Sequence, residues 1–98
     1  MAMTLDLSPL NNAVGQLAKS LAYALGRKDE AEMRFASATR EHADFADAWN
    51  NLAQVRLEQG RLKEAADAIA QAVLIGGVRA ESYRSLQAQV EQQRQAGP

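Results

Sequence analysis

His42 is the single histidine in the chain and the first residue to weigh for acid–base or metal chemistry. A base or a ligand needs a partner, and no carboxylate or second ligand is spaced to serve one here. His42 instead sits with Arg40 near the expected end of a helix, where the backbone dipole favours cations. Glu30 and Glu64 could be read as the paired carboxylates of a general acid and base. They occupy the same place in two copies of one motif, each at an expected helix start, so a structural role at the helix dipole explains both. There is no cysteine, no glycine-rich phosphate loop and no metal-ligand spacing. The residues therefore point away from an enzyme, and no cofactor is expected.

The motif holding the two glutamates is the stronger signal. Gly26-Arg27-Lys28-Asp29-Glu30-Ala31 and Gly60-Arg61-Leu62-Lys63-Glu64-Ala65 lie 34 residues apart, as do Phe35 and Ile69, and Ala38 and Ala72. A period of that length is the mark of stacked helical repeats. Composition agrees. The 98 residues suit one small domain, only five residues are aromatic, and much of the apolar content is alanine, which favours close-packed helices over strands. The net charge is -1 with acids and bases interspersed, so nothing resembles a nucleic-acid footprint. No apolar run is long enough for membrane insertion, and residues 1–7 lack the basic and apolar regions of a signal peptide. The expectation is a cytoplasmic protein if the chain is whole, with a periplasmic setting open if it is a fragment of a larger one.

Five helices are expected. Ser8-Pro9 reads as a helix start, followed by an apolar stripe of Leu10, Val14, Leu17, Leu21 and Leu25 that stops at Gly26. Asp29 opens the second helix, whose inner face is Ala31, Phe35 and Ala38. The third shows Ala48, Trp49, Leu52, Ala53 and Val55 and stops at Gly60. The fourth shows Ala65, Ala68, Ile69, Ala72, Val73 and Ile75 and stops at Gly76-Gly77. The fifth runs from about Ala80 through Tyr83, Leu86 and Val90. Short connections predict antiparallel neighbours.

Trp49-x2-Leu52-Ala53, Gly60, Ala65-x3-Ile69 and Ala72 together resemble the tetratricopeptide repeat. Arg56 and Gly77 depart from it, standing where tyrosine and proline are usual. The first copy matches best from Gly26 onward. Its leading helix fits only when slid by one residue, which sets Val14 against Trp49 and Leu17-Ala18 against Leu52-Ala53. The resemblance implies an all-α, right-handed superhelix of antiparallel helix pairs: repeat 1 over residues 8–45, repeat 2 over 46–78, a capping helix over 79–96 and a flexible tail over 1–7. Two shorter likenesses accompany it. The wording of residues 46–77 is similar to repeats ending certain bacterial cysteine-peptidase-like proteins, and residues 5–10 are similar to the opening of small helical partners of minimal nucleotidyltransferases.

The resemblance also implies a function: binding a protein or peptide in the concave groove lined by the leading helices. Carried over position by position, that role falls on Asp47, Asn50, Asn51, Gln54, Leu57 and Glu58. The last helix supplies Glu81, Arg84 and Ala88, and the first supplies Ser20 and Tyr23. The competing reading is a merely solvated polar face, and for Tyr23 and Leu57 packing against the neighbouring helix. A groove that grips a terminal carboxylate needs converging cations and donors. Only Asn51 matches that set, while Gln16, Ser20, Glu81 and Ser85 hold the other places, so a carboxylate clamp is not expected. The alternatives are an accessory domain of a larger bacterial enzyme and a self-associating unit, a homodimer through the terminal helices.

Overall fold

A computed structural model describes the backbone of residues 8–97 and the side chains of residues 17, 21 and 24–97. The described residues form four helices and no strand: α1 (Ser8–Glu41), α2 (Ala46–Glu58), α3 (Leu62–Ile75) and α4 (Ala80–Ala96). The all-α expectation holds, but the first two expected helices are one continuous helix of 34 residues. Gly26 lies inside it. Glycine costs a helix roughly 1 kcal/mol against alanine, which is not enough to break one flanked by Arg27, Lys28 and Glu30. A turn forms only where packing across it repays the lost helix. After Gly60, Leu62 packs against the core; the matching residue after Gly26 is Lys28.

The turn at Gly60 is closed by the backbone. Gly60 takes φ 77°, its N–H donates to the Leu57 carbonyl at 3.0 Å, and the Arg61 N–H donates to the Arg56 carbonyl at 2.8 Å. That pair of bonds is the Schellman arrangement, which needs a left-handed residue best supplied by glycine. Its reversal lays α3 antiparallel on α2. The core lies mainly between α2, α3 and α4. Leu52, Ala53, Ala65, Ile69 and Ala72 are buried there, joined by Tyr83, Leu86 and Val90 of α4. Alanines at 53, 65, 68 and 72 let the backbones approach, so the larger Leu52 and Ile69 fill the space between them.

The second half of α1 packs on α2 through Phe35, Ala36 and Thr39, the last buried with its hydroxyl donating to the Ala36 carbonyl at 2.7 Å. The first half passes the end of α2, leaving Leu17, Leu21 and Leu25 exposed. Trp49 fills less of the interior than its repeat position suggests. It is half-buried against the core, and its indole N–H donates to the Ala43 carbonyl at 2.9 Å. Ile75, expected inward, is 39% exposed at the end of α3.

Candidate functional site

Because α2, α3 and α4 alternate in direction, α2 and α4 run parallel, with their starts in contact. Asp47, in the first turn of α2, makes that contact: Tyr83 Oη donates to Asp47 Oδ1 at 2.5 Å, and Arg79 forms an ion pair with the same carboxylate. The bond to Asp47 pushes the Tyr83 phenol above its usual pKa; burial and the Asp47 charge add to this, and Arg79 opposes it. Tyr83 therefore stays a neutral donor through the physiological range.

From Asp47 the polar stripe of α2 continues at helical spacing. Asn50 is half-buried, while Asn51, Gln54 and Glu58 are exposed, and Gln54 Nε2 donates to Glu58 Oε1 at 3.4 Å. On α4, Glu81, Arg84 and Ala88 are exposed. Leu57 packs in the core cluster at 7% exposure, so little of its side chain is left for a ligand. The side chains of Ser20 and Tyr23 lie outside the described residues. Uncapped by any side chain, the start of α2 depends instead on backbone bonds and the Asp47–Tyr83 link.

A second polar cluster was not foreseen. Arg56, at the tyrosine position, is bonded to both α1 and α3. Its Nη2 donates to Glu32 Oε1 at 3.3 Å and its Nη1 to the Glu64 carbonyl at 3.3 Å. Arg56 and Glu32 are mostly shielded, with side-chain exposures of 19% and 15%, and Arg61 reaches the same Glu32 oxygen at 3.7 Å. Nearby, Gln59 Nε2 donates to Asp29 Oδ1 at 2.8 Å. These bonds fasten α1 to the α2–α3 turn. No local pattern could announce a pair 24 residues apart; the one hint was an arginine in an aromatic place.

The residues first weighed for chemistry stay apart from one another's roles. Glu30 is bound by Arg34 at 2.7 Å on the exposed side of α1, and Glu64 pairs with Arg61 at the start of α3. His42 is exposed just beyond α1, its backbone N–H donating to the Ala38 carbonyl at 2.8 Å. Among the described residues no group of three His, Cys, Asp or Glu side chains is placed to hold a metal, and no helix is long and apolar enough to cross a membrane.

The family model for the tetratricopeptide repeat matches residues 20–85. No curated protein and no solved structure matches the chain closely enough to set beside it. Such repeats generally mediate protein–protein interaction and are typically non-catalytic scaffolds. With the match spanning most of the sequence and falling on α2, α3 and the 34-residue motif, the chain belongs to the tetratricopeptide-repeat family.

Proposed function

We propose that the chain is a protein- or peptide-binding scaffold whose partner lies along the polar faces of α2 and α4. On this reading residues 46–78 form one complete repeat, residues 79–96 cap it, and residues 8–45 supply the preceding unit of a right-handed superhelix. The supporting observation is a set of polar side chains left unspent over a fixed core. Asn50, Asn51, Glu81 and Arg84 have no side-chain hydrogen bond to another described residue, whereas Leu52, Ala53, Ile69 and Val90 beneath them are at most 1% exposed. Donors and acceptors held on a rigid support lose little freedom on binding, which favours a preorganised contact of moderate affinity.

The test is capture of partners from the source organism by the full chain, with Arg84→Glu and Asn51→Ala as controls. The reading predicts a partner retained by the wild type and lost by both variants while helicity is unchanged. Equal retention by all three would contradict it. Self-association is a second reading, favoured by the exposed Leu17, Leu21 and Leu25.

A further inference from the structure

Trp49 and Tyr83 stand 34 residues apart, at the same place in α2 and α4, but they bond differently. The indole N–H of Trp49 donates to the Ala43 carbonyl, in the connection just ahead of its own helix. Tyr83 carries a hydroxyl at the tip of a ring that is 4% exposed, and that hydroxyl crosses to another helix, donating to Asp47 Oδ1. The second carboxylate oxygen of Asp47 accepts from Arg79, just ahead of α4. Both oxygens are thus engaged from the α4 side, and the Asp47 side chain is only 26% exposed.

Among the described residues no other side-chain hydrogen bond joins α2 to α4 or its lead-in. Beyond this point the two helices are held together mainly through α3, with Leu52 and Ala53 of α2 and Leu86 and Val90 of α4 sharing a core with Ile69 and Ala72. Apolar contact has no preferred direction, so packed helices can shift by about 1–2 Å. A hydroxyl bonded to a carboxylate has a short, fixed length and is stronger than a neutral hydrogen bond.

We propose that Asp47 is a positioning residue: held by Tyr83 and Arg79, it sets the spacing between the polar faces of α2 and α4 and does not itself touch the partner. Exposed residues stand at matched places along those faces, Asn51 with Ser85, Gln54 with Ala88 and Glu58 with Gln92. A partner touching both faces reads the distance between them. This deepens the scaffold reading and rests on it for the role of the two faces. It also moves Asp47 from the contacts expected of the groove to the support beneath them.

The test is a distance measurement on the full chain. The chain has no cysteine, so spin labels go only where one is introduced. Gln54→Cys with Ala88→Cys spans α2 and α4; Gln54→Cys with Gln71→Cys spans α2 and α3, whose spacing belongs to the core and the Gly60 turn. Double electron–electron resonance reads each pair. Tyr83→Phe removes only the hydroxyl, and Asp47→Ala removes the whole acceptor. Each should broaden the α2–α4 distribution, and Asp47→Ala should lengthen its mean by about 2 Å, the scale of helix shifts at interfaces. The α2–α3 distance should stay as in the wild type. The double variant should add nothing to Asp47→Ala, because both changes break one link. An α2–α4 distribution unchanged in either variant overturns the proposal. So does an equal change in the α2–α3 distance, which would be a general loosening. No partner enters the measurement, so failure to capture one would strike the scaffold reading and leave the spacing role of Asp47 standing.

Discussion

The two copies of Gly-Arg-x-x-Glu-Ala in this chain do opposite things. At Gly60 the backbone goes left-handed, a Schellman pair of hydrogen bonds closes the turn, and α3 folds back on α2. At Gly26 the chain runs straight on as helix, and a Cβ added there would meet nothing within 4 Å beyond its own stretch of helix. The burial behind each motif follows suit. Ala65, Ile69 and Ala72 are fully buried, while Ala31, Phe35 and Ala38 are only half covered. A glycine permits a reversal, but contacts across the turn decide whether it occurs. Behind Gly60 stand Leu52, Ala53 and Leu62; across Gly26 stand exposed leucines and Lys28.

The largest test of this contrast is to empty matched places. Ile69→Ala should destabilise by about 2–5 kcal/mol, the range for a buried aliphatic residue. Phe35→Ala, at a half-covered site, should cost visibly less in the same denaturant titration; equal losses would mean that the first copy is packed like the second. Next in size, Glu32→Ala removes the carboxylate from the mostly shielded Arg56 and should cost about 1–3 kcal/mol, because a shielded donor loses its partner. Glu30→Ala, on the exposed side, should stay within about 0.5 kcal/mol. Chemical denaturation of the two variants side by side checks the difference.

A smaller effect should appear in alkali. Tyr83 has a raised folded pKa, so the stability it contributes is whole below the unfolded phenol value near 10 and is lost as pH climbs through the higher folded value. Facing it are Asp47, which disfavours the phenolate, and Arg79, which partly offsets that. The melting temperature should therefore fall more steeply above about pH 10 in the wild type than in Tyr83→Phe. At neutral pH Tyr83→Phe should lower the melting temperature slightly, because it removes the hydrogen bond to Asp47. Parallel curves for the two proteins would show that the Asp47–Tyr83 bond is not made.

The second half of the fold was readable because each local signal agreed with its neighbours. Leu52, Ile69, Tyr83, Leu86 and Val90 fell on inner faces at helical spacing, and Gly60 and Gly76 ended their helices. The first half was misread at Gly26, where the motif of a turn was present without the apolar residues that hold one closed. Trp49 holds the repeat's tryptophan position, yet it is only half-buried against the core, with its indole N–H bonded to the Ala43 carbonyl. Its counterpart one repeat on, Tyr83, is 4% exposed between α3 and the start of α2. At the candidate site, spacing was enough to group Asn50, Asn51, Gln54 and Glu58 on one stripe. The burial of Leu57 and the Asp47–Tyr83 and Arg56–Glu32 bonds depend on how separate helices meet, which no local spacing encodes.

The sign of one substitution made at both glycines tests the central claim. Gly26→Ala should stabilise the chain by about 0.5–1 kcal/mol, since alanine is the better residue inside a helix. Gly60→Ala should destabilise it by about 1–2 kcal/mol, since φ 77° is strained for any residue with a Cβ. Opposite signs in thermal unfolding confirm a straight helix at one motif and a reversal at the other. Destabilisation at both would mean that Gly26 turns the chain as Gly60 does, and would contradict the account.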